Sequence, residues 1–144
     1  MTMMTLKPQS WPIQNLPGLS REHSTQLQQL GLTTTAHLLH QGRSPQAQQA
    51  LARQLQLPLR YAQKWLALAD LAQLPSVGCD YCGLLLHTGI QSIAQLAAIA
   101  PGRLHSQIRR LHTASLQRSD LCPDPAQVAV WVREAQQLSQ RRGR

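Results

Sequence analysis

The chain writes one apolar-Pro-small-apolar-small turn twice, as LPGLS at residues 16–20 and LPSVG at residues 74–78. Sliding the sequence by 58 positions pairs Leu16 with Leu74, Pro17 with Pro75, Gly18 with Ser76, Leu19 with Val77 and Ser20 with Gly78. The match continues through Leu27 with Leu85, Gly31 with Gly89, Leu32 with Ile90, Ala36 with Ala94 and Leu38 with Leu96. Further on, YAQKWLALA (61–69) and QVAVWVREA (127–135) align at an offset of 66, which sets Trp65 on Trp131 and Ala69 on Ala135. An eight-residue loop insertion in the second copy (66 − 58) accounts for the slip. Internal similarity of this kind points to a duplicated supersecondary unit whose copies pack together, and two copies are too few for a solenoid.

The repeated unit reads as helices. Aromatics make up 3% of the 144 residues and Phe is absent, so the apolar content is Leu, Ala and Ile with three Trp. Leu, Ala and Gln favour helix, and strand-type runs of Val, Ile, Thr and Tyr are missing. The boundaries agree. Ser20 and Gly78 stand where N-caps belong, Thr34 and Ser92 are placed to cap the short helices that follow, and Gly31 and Gly89 are placed as left-handed helix ends. Ser44-Pro45 and Asp124-Pro125 each open a later helix with a cap and a proline in its first turn. Leu27, Leu30 and Leu85 supply an inner face. Tyr61, Trp65, Leu68 and Val128, Trp131, Ala135 form apolar stripes at helical spacing, read as core, because buried aromatics mostly pack. The expected fold class is all-α. Expected boundaries are an N-terminal extension at 1–12, a first unit at 13–72, a second at 73–138 and a basic tail at 139–144.

A turn that visits positive φ and leads straight into a helix aims several backbone N–H groups at one spot, where the helix dipole adds partial positive charge. Such a spot suits a phosphate oxygen. The spacing resembles the helix-hairpin-helix motif, in which an apolar-Pro-Gly-apolar-Gly turn is followed by a small and then an apolar residue. Ser24 and Leu27 fill those later positions in the first copy, Cys82 and Leu85 in the second. From about Ile13 to Leu138 the chain resembles tandem helix-hairpin-helix proteins, and in particular a bacterial family catalogued as a domain of unknown function. LGLTTTAHLL also looks like a stretch of the small N-terminal domains of strand-exchange recombinases. The resemblance implies two helix-hairpin-helix units and, by analogy, DNA or protein binding.

The formal charge is +8, and Lys7 and Lys64 are the only lysines beside a large majority of arginine. Such a surplus biases a protein toward polyanions, with guanidinium suited to bidentate contact. Candidate contacts are Gly18, Leu19, Ser20 and Arg21 at the first turn and Ser76, Val77 and Gly78 at the second, with Arg109 and Arg110 as charge support. Each turn keeps one of its two glycines, and Glu22 and Asp80 occupy one repeat position where a carboxylate stabilises the helix by roughly 0.3–1 kcal/mol but competes with phosphate. Arg21 offsets Glu22, whereas the second turn has Cys79 in its place, so the first turn is the better grip.

Other chemistry is set aside. Cys79 and Cys82 in CDYC lack partners at a recognised zinc spacing: His87, His105, His112 and Cys122 are scattered, and three cysteines are one short of an iron–sulfur set. Cys82 instead falls at the small packing position of Ser24, while Cys79, near a helix N-terminus, is expected to have a lowered thiol pKa. Hairpin glycosylases resemble one another in a catalytic Asp, often with a Lys, downstream of the motif. Here Asp120 and Asp124 lie in a Pro-containing linker, and Lys64 lies on a Trp helix. No phosphate loop or catalytic triad order is present. Neither an apolar leader core nor a span of ~20 apolar residues is present, so a soluble, cytoplasmic, non-enzymatic protein without metal or cofactor is expected. The expected partner is a nucleic-acid backbone, DNA ahead of RNA, bound without sequence readout. The close rival is an acidic protein partner, with the hairpins purely structural.

Overall fold

Among the described residues, the Leu-, Ala- and Gln-rich segments between the turns wind into helix. The computed structural model describes residues 6–111 and 123–142, the last two of these as backbone alone. Among the described residues a 3-10 turn at Ile13–Asn15 precedes α1 (Arg21–Gln29), α2 (Thr35–Gln41), α3 (Pro45–Leu55), α4 (Leu59–Ala72), α5 (Gly78–His87), α6 (Ile93–Ala98), α7 (Pro101–Leu111) and α8 (Pro125–Arg142). These residues contain no strand, only an isolated antiparallel bridge between Pro12 and Thr34. Helices α5 to α8 start 57, 58, 56 and 66 residues after α1 to α4. The inserted loop expected in the second copy falls between α7 and α8. Most of it, residues 112–122 with His112, Arg118, Asp120 and Cys122, lies outside the described residues.

Local chemistry sets the boundaries. The side-chain oxygens of Ser20, Thr34, Ser44 and Ser92 accept the amides of His23, His37, Ala47 and Gln95 at 3.0, 3.2, 3.1 and 3.1 Å, and Asp124 Oδ1 accepts that of Gln127 at 2.8 Å. Each satisfies a donor that the helix itself leaves unpaired. Gly31 and Gly89 close α1 and α5 at φ 84° and 102°. Gly78 is not an N-cap. It is the first residue of α5, and Val77 before it is helical (φ −91°, ψ −60°) with no side-chain cap, because the chain leaves α4 in a tight turn onto Leu74 O instead of in an extended stretch.

Two long helices organise the interior. Helix α4 packs against α2, α3 and α5, and α8 against α6 and α7. Trp65 and Trp131 lie at their centres, 1% and 0% exposed. At about 25 cal/mol per Å² and roughly 150–250 Å² of ring, each indole contributes on the order of 4–6 kcal/mol of transfer free energy. His23 on α1 lies tilted on Trp65 with centroids 5.1 Å apart, and Tyr81, 58 positions later on α5, lies tilted on Trp131 at 4.9 Å. Two residues expected in the interior stand at the surface. Leu30 is 41% exposed because α1 ends there, and Tyr61 is 37% exposed at the start of α4, where the Arg60 guanidinium lies 5.4 Å from its ring centre.

The chain before the first turn is stitched in. Trp11 donates from its backbone N to Thr35 Oγ1 (3.0 Å) and from Nε1 to Ala72 O (2.6 Å), and its carbonyl accepts from Thr35 N (2.8 Å). Gln9 N reaches Gln73 O at 2.8 Å.

Candidate functional site

Leu16 is buried, and Pro17 behind it rests on α5, its Cγ 3.3 Å from where a side chain on Gly83 would begin. This anchorage fixes the first turn from beneath while Gly18, Ser20 and Arg21 stay exposed and Leu19 packs half-buried at the core edge. Gly18 has φ +76°, a conformation that L side chains rarely adopt. The Lys64 ammonium of α4 lies over it, 3.6 Å from where a Cβ would stand. Ser20 is extended, and its hydroxyl oxygen accepts from His23 N. The first amides of α1, at Arg21 and Glu22, have no partner within the helix. The turn therefore presents an open helix N-terminus with the Lys64 ammonium over it and with exposed Arg21 and Glu22 in the first turn of α1.

The second turn is closed. Ser76 donates its amide to Glu134 Oε1 at 3.0 Å and its hydroxyl to Oε2 at 2.6 Å, while its carbonyl accepts from Trp131 Nε1 at 3.1 Å. The amides of Val77 and Gly78 both turn back to Leu74 O, at 3.0 and 2.9 Å. Val77 and Gly78 are buried. Gly78, at φ +53°, faces the Trp11 ring 3.3 Å from where a Cβ would stand. A carboxylate of the protein itself thus sits at the position that an anion would take.

Arg109 and Arg110 are exposed near the end of α7, which turns Leu104 and Ile108 inward. That helix packs on α8, whereas the first turn lies against α4 and α5. The sequence reading missed Lys64, set aside there as a misplaced catalytic lysine, and Arg60. The available signal was their spacing of four on α4, beside the Trp65 stripe.

The thiols are quiet. Cys82 is fully buried in the packing position matched to Ser24, and burial, with Cys79 and Asp80 adding to it, pushes its thiol up to about 12. Cys79, expected to be lowered by the helix N-terminus, is raised, first by burial and then by the Asp80 charge beside it. Desolvation of the thiolate outweighs the dipole there. Among the described residues no group of three His, Cys, Asp or Glu side chains converges to hold a metal ion. None of the described helices is long and apolar enough to cross a membrane.

These features define an all-helical domain with one exposed turn and one sealed turn. The chain belongs to the family described as Domain of unknown function (DUF4332), whose model matches residues 17–138. No curated protein and no solved structure matches the chain.

Proposed function

We propose that this is a non-enzymatic module of two helix-hairpin-helix units that binds a nucleic-acid backbone, DNA ahead of RNA, without reading sequence. The recurring helix order and the paired ring contacts of His23 with Trp65 and Tyr81 with Trp131 support the duplication. The observation that carries the binding reading is the exposed Gly18 turn, at φ +76° with the Lys64 ammonium over it. Backbone N–H groups and a point cation together favour a phosphate oxygen. On this reading Gly18, Leu19, Ser20, Arg21 and Lys64 form the grip, and Arg109 and Arg110 add long-range attraction. Ser76, Val77 and Gly78 serve as structure, since Glu134 already fills their turn. A second reading, a protein-interaction module recognising an acidic partner, draws on that filled turn and on the exposed Leu30.

Fluorescence anisotropy with a short labelled duplex separates them. We expect binding that weakens with salt, with a log–log slope near −0.9 per neutralised phosphate, and a slope smaller by about one in Arg21→Ala. An absence of duplex binding at low salt hands the case to the protein partner.

A further inference from the structure

We infer that a second stretch of the same polyanion lies in the groove along α4, so that binding tracks across one face and does not end at the turn. This rests on the nucleic-acid reading above and extends it to residues outside the turn. The groove is open, about 1060 Å³ in volume, and runs between α2, the loop after it, α4 and the start of the α6 region. His40 and Arg43 line it from the α2 side, and Arg60 and Lys64 line it from α4. All four are exposed. Asp70, the acidic residue among the described lining, has its Oδ2 on Ile93 N at 2.9 Å and its Oδ1 on Gln73 Nε2 at 3.0 Å. Its charge is held by the cap of α6 while the cations face solvent. Lys64 belongs to both places, lining the groove and standing 3.6 Å from the Cβ position of Gly18. Turn and groove are therefore one continuous basic surface.

The chemistry of the lining selects the occupant. The lining holds no Phe, Tyr or Trp among the described residues, and the single imidazole of His40 is not a run of rings on which successive unpaired bases could stack. Its neutral polar lining consists of glutamine side chains (Gln48, Gln63, Gln73, Gln91), which hydrogen-bond to phosphate and sugar oxygens without demanding a particular base edge. An open, charged channel of this size does not enclose a small ligand as apolar pockets do. Charge complementarity and the lack of a run of stacking rings together point to the phosphate backbone of duplex DNA.

The test compares the full chain with Arg43→Ala/Arg60→Ala and with Arg21→Ala. Duplex binding is measured by anisotropy between about 50 and 200 mM salt. Both groove arginines are exposed, and an unchanged melting curve confirms the fold of the variant. We expect the groove variant to weaken duplex binding about tenfold or more at the lower salt and to reduce the salt slope by about 1.8, with Arg43→Lys/Arg60→Lys keeping most of both. Binding lost in Arg21→Ala but unchanged in the groove variant overturns the groove and leaves the turn reading intact. The reverse pattern supports the groove and overturns the turn as the grip. A single strand of equal length bound more tightly than the duplex overturns the duplex assignment, as does a Glu-rich peptide that needs Arg43 and Arg60 when the duplex does not bind.

Discussion

Cys82 is held where no water reaches its sulfur, and the consequence is a specific alkaline weakness. The folded chain keeps the thiol proton up to about 12, against an ordinary value of 9.0 in the unfolded chain. The stability due to that retained proton is fully present below 9.0 and is lost as the pH rises toward 12. The slope is at most about 1.4 kcal/mol per pH unit. Urea unfolding across this range should show the loss in the native protein and a shallower slope in Cys82→Ser, whose hydroxyl does not titrate. Equal slopes in the two proteins contradict the assignment. The burial of Cys82 was legible in the sequence, because the repeat sets it opposite Ser24. The pKa of Cys79 was not, since a helix N-terminus can be read from spacing but the depth of burial beside it cannot.

At the level of elements, the caps divide into those that sequence displays and those it hides. Ser20, Thr34, Ser44, Ser92 and Asp124 each accept an amide three residues on, so residue type and neighbours were enough to place them. Asp70 and Glu134 do the same work across 23 and 58 residues, Asp70 from the last turn of α4 onto the start of α6 and Glu134 from the middle of α8 onto the turn before α5. No local pattern announces such a contact. The sequence reading consequently kept the second turn as a lesser anion seat beside the first, while the structure closes it with a carboxylate. Glu134→Ala removes both bonds to Ser76 and leaves a partly buried amide and hydroxyl unpaired, for an expected loss of about 1–3 kcal/mol. Denaturant titration measures it, and a midpoint unmoved from the native value contradicts the latch. Glu134→Gln should fall between, keeping an acceptor for one of the two donors.

Across the whole molecule, an all-helical fold was legible from composition and periodicity, whereas the path of the N-terminal residues was not. A lone Trp in a Pro- and Gln-containing stretch carries no period, and residues 1–12 read only as an extension. Trp11 nonetheless joins α2, the end of α4 and the start of α5, through Thr35, Ala72 and Gly78. Trp11→Ala should lower unfolding free energy by about 2–3 kcal/mol, somewhat under the loss for a fully buried indole. Thermal melts read the change, and a melting point within error of the native protein removes Trp11 from the framework.

The same residue has a consequence in time. It is synthesised 67 positions before Gly78, the last surface it rests on. At about 5–20 residues per second, a nascent chain carries that indole without its full resting place for roughly 3–13 s. The amino-terminal half therefore leaves the ribosome with its closing fastener undone, and release of the finished fold waits on the emergence of α5.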